Sequence, residues 1–390
     1  MPPAFSKDEY DHRLETVRAA MQARRIDALV IGDPSNINWL TGYDAWSFYT
    51  PQMMLVDFHD GPFWMGREMD AGAAAFTSYL REDQIIAYPE PMVQRGDQHP
   101  ADYLAQWMVD RGFDKGRIGY ESDVYYFSPR MLGRLQAGVA DAEWVDADLL
   151  VNWARLVKSQ AELAVMKGAA RIAEAAMTVA MEGARPGVRQ CDLMADVVAA
   201  QIRGTSEYSG DQTAVHPLIL AGEAASPAHP MWTDAPLLDG QTIAFELGGC
   251  HKRYNVGLAR TLHLGTPPQK LVDTAQAVEE GMAAVMDSLH AGAVTGDVHA
   301  AWQRVLDRYG LEKKSRIGYS IGAAYAPDWG EHTLSFRPEE TEIVPENAVV
   351  HIILGMWMDG WGMELSETLH VQRGRCARLA NFPQSVRVAP

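Results

Sequence analysis

The order of helix and strand patterns changes near residue 155, and this change constrains the fold more than any other feature of the chain. Before it, apolar segments that are typical of short buried strands alternate with helical patterns. Alternation of strand and helix with short connections predicts a small α/β domain. The predicted strands cover residues 26–31, 53–56, 85–88 and 118–120, and helical patterns include 101–109 and 129–135.

After residue 155 the pattern becomes two helices, strands, two helices and strands again. Ser159 followed three residues later by Glu162 is a capping-box signature, and it predicts a long helix that continues to about residue 182. The repeated order predicts two αβ halves around one sheet, and hence an α+β domain at 156–390 that follows a smaller α/β domain at 1–155. The other predicted helices cover 191–202, 270–289 and 297–309, and the predicted strands cover 215–220, 242–247, 254–264, 349–354 and 368–371.

The composition of the chain limits the classes of function that it can have. The chain has 390 residues, 47% of them hydrophobic and 22% charged, which is an ordinary globular balance. A net charge of −17 argues against a nucleic-acid partner, because phosphate binding needs a cationic surface. Cys191, Cys250 and Cys376 are far apart, so neither a zinc site nor a disulfide framework is predicted. The N-terminus lacks a signal-peptide pattern and no apolar run could span a bilayer, so we expect a cytoplasmic protein without membrane contact.

Glu246 is the most informative single residue. It lies within the otherwise apolar segment 243–249, where a carboxylate is costly to bury unless it is paired or hydrogen-bonded. One interpretation is a side chain on the open face of the sheet, since alternation with Ala244 allows that. The other is a pocket carboxylate with a perturbed pKa, suited to catalysis.

His229 and Ser320 are two further candidates. His229 lies between Pro227 and Pro230, which predicts a rigid loop, and it is either a surface histidine or a general acid and base. Ser320 is the centre of a G-x-S-x-G match, the pattern of a nucleophile elbow. The match is short and begins too near the end of the chain to leave room for the rest of a catalytic triad, so Ser320 is not expected to be a nucleophile.

Three loop-like segments combine aromatic side chains with acids. For any single aromatic residue, packing in the core is the better interpretation. Together, aromatic faces and carboxylates suit a delocalised organic cation, and Arg337 could hold a substrate carboxylate or be an ordinary surface arginine. The predicted substrate-binding residues of the three segments are Tyr43, Trp46, Phe48 and Tyr49, then Asp328 and Trp329, then Trp357, Asp359, Trp361 and Glu364.

Residues 155–375 resemble the creatinase, prolidase and methionine aminopeptidase family, whose fold is called pita-bread, and the first domain resembles the N-terminal domain of creatinase and prolidase. The resemblance implies a curved antiparallel sheet covered by helices, with a pseudo-twofold arrangement. In the metallopeptidases of this family, two Asp, one His and two Glu hold two metal ions. Here the corresponding positions are Glu246, Gly257, Tyr319, Ile353, and either Ser366 or Glu367, and Glu367 is also a predicted substrate-binding residue.

The resemblance therefore implies an enzyme without a metal or other cofactor, as creatinase is. His229 falls at the position of the catalytic His of creatinase, and Arg337 at that of its carboxylate-binding Arg. Segments 40–52 and 355–362 resemble the branch of the family that opens the ring of ectoine, a cyclic amidine bearing a carboxylate.

On this resemblance we expect Glu246 as nucleophile or general base, His229 as proton shuttle, and Tyr319 as a stabiliser of developing charge. The resemblance also implies a homodimer, in which residues 43–49 of one subunit close the partner's pocket, and a deacetylase acting on the product. Two alternatives stay open: a metal-dependent Xaa-Pro peptidase or lyase of the same fold, and a non-catalytic binding module.

Overall fold

The structure, a computed structural model, describes residues 3–390 and divides into two compact units between Arg155 and Leu156. Each unit has its own sheet and its own buried core. Among the described residues, no helix combines the length and the apolar character that a membrane span needs.

The first unit is built on one six-stranded mixed sheet in the order β4-β3-β2-β1-β5-β6. The two pairings that join β1, β2 and β3 are antiparallel, and the other three are parallel. Four of the strands lie where the sequence predicts strands, while β3 and β6 were not predicted. The strands are β1 Ala28–Ile31, β2 Met53–Val56, β3 Phe63–Arg67, β4 Ile85–Tyr88, β5 Arg117–Tyr120 and β6 Glu143–Asp146, and the helices are α1 Lys7–Ala23, α2 Pro34–Thr41, α3 Glu68–Thr77, α4 Pro100–Asp110, α5 Pro129–Gly138 and α6 Leu150–Ala154.

The second unit contains four helices and three sheets among the described residues. A four-stranded sheet has the order β17-β9-β8-β7, a five-stranded sheet the order β11-β10-β12-β15-β16, and β13 pairs with β14. The helices are α7 Gln160–Gly183, α8 Gln190–Arg203, α9 Gln269–Ser288 and α10 Thr295–Tyr309. The strands are β7 Leu218–Ala221, β8 Thr242–His251, β9 Tyr254–Leu264, β10 Gly318–Ile321, β11 Gly330–Ser335, β12 Val349–Ile353, β13 Met356–Met358, β14 Trp361–Met363, β15 Ser366–Gln372, β16 Arg375–Arg378 and β17 Arg387–Ala389.

The start of α7 is fixed by the predicted capping box. The Ser159 hydroxyl accepts a hydrogen bond from the backbone N–H of Glu162 at 3.1 Å, and the Glu162 carboxylate accepts one from the Ser159 N–H at 2.8 Å. Two amide groups at the helix N-terminus are thereby satisfied. The helix then packs against β8 and β9. Gly249 permits this close contact, because a Cβ there would lie 2.0 Å from the carbonyl oxygen of Ala169.

The long antiparallel pair of β8 and β9 positions the candidate site. Glu246 lies opposite Leu218 of β7 on one side and Ala259 of β9 on the other, in the middle of the four-stranded sheet. The strand predicted at 215–220 begins only at Leu218, directly after Pro217, which has no amide hydrogen to donate to a ladder. Because β8 lies in the middle of this sheet and packs against α7, the Glu246 carboxylate lies inside the unit.

The remaining core of the second unit lies between α9, α10 and the five-stranded sheet. Val278 and Met282 of α9 meet Trp302 of α10 and Val350 of β12 in one buried cluster. Residues 318–321, the start of the G-x-S-x-G match, form strand β10 rather than a strand-to-helix turn, and Ser320 is buried with its hydroxyl bonded to Thr333. This geometry agrees with the expectation that Ser320 is not a nucleophile.

Candidate active site

A cavity of about 590 Å³ lies within the second unit. Its wall combines acids, cations and aromatic rings, the composition that a small polar ligand requires. Of the residues that the sequence singled out, this wall contains His229, Glu246, Tyr319 and four others. The lining residues are Val215, His216, Leu218, Ala228, His229, Met231, Glu246, Lys313, Ser315, Arg316, Gly318, Tyr319, Pro327, Asp328, Trp329, Ile353, Trp357 and Glu364.

Glu246 lies in the wall of the cavity and is only 7% exposed. Burial raises its pKa to about 7, because a carboxylate loses the solvation of water and no partner charge among the described residues offsets that loss. Near neutral pH the side chain therefore changes between its acid and its ionised form. Such a group can act as a nucleophile or as a base without extreme pH.

Glu364 brings a second buried carboxyl to the same cavity. It is 1% exposed, and neither of its oxygens has a hydrogen-bond partner in the part of the chain that the structure describes. Burial and then the charge of Glu246 raise the pKa of Glu364 well above its usual value, while Lys313 opposes the rise. Thr261 fixes its backbone by accepting a bond from the Glu364 N–H at 2.8 Å and donating to its carbonyl at 2.9 Å. The backbone of Glu364 is thus fixed, while its carboxyl oxygens stay available to a ligand.

Tyr319 presents its hydroxyl in a defined orientation. The indole N–H of Trp329 donates to the Tyr319 oxygen at 2.8 Å, so the phenol keeps its own proton available for donation. Burial first, and then the charge of Glu246, raise the pKa of Tyr319 well above its usual value, so the group remains a neutral donor. A neutral hydroxyl held beside a nucleophile can stabilise negative charge as it develops.

His229 has an unusual backbone conformation. Its φ is +82°, although the residue before a proline normally adopts extended backbone. A non-glycine residue with positive φ costs about 1–3 kcal/mol, and such residues concentrate at functional sites. His229 is an exposed residue, and the loop places it and Met231 at the cavity wall.

Asp328, Trp329 and Trp357 complete the predicted residues that line the cavity. Asp328 accepts bonds from the backbone N–H of Gly330 at 2.9 Å and pairs with His332 at 2.8 Å. Its pKa is lowered although burial alone would raise it, because the bonds from His332 and Gly330 together outweigh that burial. Asp328 is therefore an ionised carboxylate near the aromatic rings.

The structure does not bring four predicted residues into this wall. The Arg337 guanidinium, half exposed, donates to Ser335 at 3.1 Å and pairs with Glu340 at 3.5 Å. Asp359 lies in the turn between β13 and β14, and Trp361 packs under Lys270 in a separate surface cleft. Glu367 is buried in an ion pair. Their substrate-binding roles stay predictions that this cavity does not support.

The aromatic residues predicted at 43–49 belong to the first unit. Tyr43 is buried, with its hydroxyl 2.7 Å from that of Ser47, and Phe48 packs against the ring of Trp46. Trp46 and Tyr49 are more than half exposed, at 54% and 59%. Their predicted contact with a substrate stays a prediction.

Sequence reasoning missed the cations and one histidine of the wall. Lys313, Ser315 and Arg316 line the cavity, as does His216, yet none was singled out. The only available signal was a basic run just before Gly318 and Tyr319, and a basic run after a helix is more often a solvated surface.

Comparison with known proteins decides the family. Residues 164–373 match the metallopeptidase family M24, and residues 13–157 match the creatinase/prolidase N-terminal domain. The chain belongs to the M24 family. It is 38% identical to an ectoine hydrolase from Halomonas elongata over 98% of both chains, and 39% identical to an uncharacterised hydrolase/peptidase from Sinorhizobium fredii over 94% of both. These likenesses confirm the prediction of a hydrolase of this family.

Solved M24-type structures confirm the predicted two-domain pita-bread fold. A dipeptidase from Pyrococcus horikoshii superposes with a TM-score of 0.82 at 19% identity, covering 97% of this chain and 100% of that one. An X-Pro aminopeptidase from Thermotoga maritima gives the same TM-score at 16% identity, with 96% and 99% covered. At these identities the likeness concerns the fold alone.

The dinuclear metal centre of M24 metallopeptidases requires donor atoms that this chain lacks at two positions. Gly257 has no side chain, and Ile353 offers only hydrocarbon. The ring of His351 occupies the space that a side chain at position 257 would need. A Cβ atom at that position would lie 2.6 Å from the Cε1 atom of His351. Thr368 donates its only hydroxyl proton to the carbonyl of Gly257, so the His351 Nδ1 must be the donor in its contact with Thr368.

The other three positions do not replace the missing ligands. Glu246 supplies a single carboxylate, and Tyr319 carries a protonated phenol. The last position is either Ser366, with a neutral hydroxyl, or Glu367, which pairs with Arg260 at 2.7 Å. Within residues 3–390, no cluster of three or more His, Cys, Asp or Glu side chains is arranged to hold a metal ion. The residues present therefore do not fit a pair of divalent cations.

Proposed function

We propose that this protein hydrolyses a C–N bond of a cyclic amidine without a metal, opening ectoine or 5-hydroxyectoine to the corresponding N-acetyl-diaminobutyrate, with Glu246 as the nucleophile. The observation that carries the proposal is a buried carboxylate in a cavity of a chain whose positions 257 and 353, metal-ligand positions in the metallopeptidases of the family, have no donor side chain. The likeness to the ectoine hydrolase of Halomonas elongata over nearly the whole chain supports the choice of substrate.

Binding uses the carboxyl groups of the cavity. The amidinium group of ectoine carries two N–H donors and a delocalised positive charge. Glu364 has two buried oxygens without partners, and a bound cation favours its ionised form and supplies the missing hydrogen bonds. The rings of Trp329 and Trp357 offer faces for the same cation.

The first chemical step forms an enzyme-bound intermediate. An oxygen of the Glu246 carboxylate attacks the amidine carbon, and the resulting C–O bond gives a tetrahedral adduct with two neutral nitrogens. His229 then gives a proton to the departing ring nitrogen, the C–N bond breaks, and the other nitrogen forms a C=N bond. Glu246 now carries an acyl-imidate that is protonated on its nitrogen, and the freed ring nitrogen is a neutral amine.

The second step releases the product. His229 takes a proton from a water molecule whose oxygen attacks the same carbon. The Glu246 carboxylate then departs with the electrons of its C–O bond, and Tyr319 donates a hydrogen bond to the negative charge that develops on it. The added hydroxyl group gives its proton to the freed amine, which leaves a neutral amide. The net change is addition of one water to the ring, which gives an amide and a free amine. The amide is a substrate for a deacetylase, the downstream partner that the sequence predicts. A cytoplasmic homodimer, also predicted, is part of the same proposal.

Turnover of ectoine by the purified protein tests the proposal. We expect NMR to show N-acetyl-diaminobutyrate with the wild type and Glu207→Gln, an exposed control glutamate. Glu246→Gln should lower kcat by about a thousand-fold or more, because an amide cannot replace the nucleophile. Mass spectrometry after rapid quenching should show wild-type protein that carries the mass of the substrate.

The alternatives give different outcomes in the same experiments. Two stoichiometric metal ions and loss of activity to a chelator would favour a metal-dependent peptidase or lyase. Tight ectoine binding without any product would favour a binding module. Undiminished turnover by Glu246→Gln would refute the nucleophile.

A further inference from the structure

A short cationic loop, defined here as residues 313–316, forms one side of the cavity and plays no part in the chemistry described above. It follows α10 and precedes β10, and Lys313, Ser315 and Arg316 all line the cavity. The same cavity is lined by the carboxyl groups of Glu246 and Glu364. The wall therefore combines cationic and acidic side chains, as recognition of a zwitterion requires.

The ammonium group of Lys313 is held by two hydrogen bonds and has one N–H group left for a ligand. Its ammonium group donates to the carbonyl of Gly355 at 2.8 Å and to the hydroxyl of Ser315 at 2.9 Å. An ammonium has three N–H groups, so one remains. It forms no ion pair with a carboxylate among the described residues, although Glu364 is near enough to act on its charge. Burial lowers the pKa of Lys313 to about 8, so the amine is still mainly protonated at pH 7.

Ser315 and Arg316 add further donors to the same loop. The Ser315 hydroxyl accepts the bond from Lys313, so its own proton is free to be donated. The Arg316 guanidinium lies 4.5 Å from the centre of the Tyr319 ring. This cation–π contact leaves the N–H groups of the guanidinium available for hydrogen bonds. An ammonium, a hydroxyl and a guanidinium on one short loop are the donors that a carboxylate accepts best.

We propose that the cationic loop is the subsite for the carboxylate of the substrate, with Lys313 and Arg316 as its specificity-determining residues. This inference rests on the proposed function, since it places the amidine end against Glu246 and Glu364. The substrate class is then a small cyclic amidine that also bears a carboxylate. Arg337, the cation that the sequence indicated for this role, is engaged with Ser335 and Glu340 outside the cavity.

Discrimination between two ligands tests the subsite. The probes are ectoine and the ring analogue of ectoine that lacks the carboxyl group. We expect the wild type to prefer ectoine in kcat/KM, and Lys313→Met and Arg316→Gln each to reduce that preference by about 10- to 100-fold, mainly through KM. Activity on the analogue should change by less than about threefold, since it has no carboxylate to lose contact with.

Matched controls separate this effect from general loss of charge. Lys314 is adjacent in sequence, has an 85% exposed side chain and does not line the cavity, so Lys314→Met should retain the wild-type preference. Three results would each overturn the assignment. They are an equal loss of the preference for ectoine with Lys314→Met, an unchanged preference in both cavity variants, and a loss of the preference with Arg337→Gln.

Binding measured without turnover keeps the two proposals distinguishable. In Glu246→Gln, calorimetry should show ectoine binding more tightly than its analogue, and Lys313→Met in that background should reduce the difference by about 10- to 100-fold. If the wild type produces no product but this difference in binding persists, the proposed reaction fails and the carboxylate subsite stands. If ectoine and the analogue bind equally, the subsite is refuted whatever the reaction is.

Discussion

Glu246 is held in a place that costs the folded state free energy. The folded protein keeps its carboxyl 7% exposed in an apolar strand, and its pKa there is about 7 against an ordinary value of 4.5. The acid is therefore easier to bury than its anion. A nucleophile with this environment is more reactive once ionised, because little water has to be removed before it attacks.

The free energy of unfolding should therefore depend on pH through the ionisation of Glu246. Because the pKa of Glu246 is higher in the folded state, the penalty is absent below about pH 4.5, grows as pH rises, and is complete above about pH 7. Glu246→Gln should thus gain about 3 kcal/mol in free energy of unfolding, relative to wild type, between those two pH values. Denaturant unfolding across a pH series measures this, with Glu207→Gln showing no such gain. A variant that gained nothing towards pH 8 would contradict the buried environment of Glu246.

At the scale of elements, β9 and β15 are joined by a buried ion pair. Arg260 of β9 donates to Glu367 of β15 at 2.7 Å, and also to the carbonyls of Ser366 at 2.7 Å and Ala259 at 2.8 Å. Arg260 and Glu367 have side chains only 1% and 0% exposed. Glu367, one of the two residues that could correspond to the last metal ligand of the family, therefore has a structural role here.

Removing one partner of this pair should be expensive. Arg260→Met leaves the Glu367 carboxylate with fewer donors in the interior, which should cost roughly 3–5 kcal/mol in free energy of unfolding. The double variant with Glu367→Met removes the stranded charge and should recover much of that loss. Urea denaturation of the two single variants and the double variant gives the coupling energy. Independent, additive losses would show that the pair is not coupled.

The elements also show which parts of the structure the sequence predicts. Helices such as α7 and α9 were predicted well because apolar periodicity and caps are local signals, and Glu246 was found because an acid in an apolar strand is anomalous. Short strands such as β10 and β13 were missed, since three or four residues carry too little periodicity. Lys313 was not predicted as a cavity residue, because only the three-dimensional path of the chain shows that this basic run lines the cavity.

At the scale of the whole molecule, the chain has a net charge of −17, yet the cavity is lined by cationic as well as acidic side chains. The nucleophile, the proton donor and the oxygens proposed to bind the amidine all belong to the second unit.

Metal removal should leave the protein unchanged. Dialysis against a strong chelator is expected to alter neither turnover of ectoine nor the unfolding temperature by more than experimental error, because two of the former ligand positions have no donor atom. Elemental analysis before dialysis should find far less than one transition-metal ion per chain. Activity restored only by added manganese or cobalt would contradict this prediction.

The ring of His351 has a consequence for engineering. Placing an aspartate at position 257 would bring its Cβ atom against an imidazole that is fully buried and held through Thr368, so the single change should destabilise the protein rather than create a metalloenzyme. A design that aims at a metal centre must first shrink residue 351 and then introduce the carboxylates. Packing at position 257 therefore has to be solved before affinity for a cation can be tested.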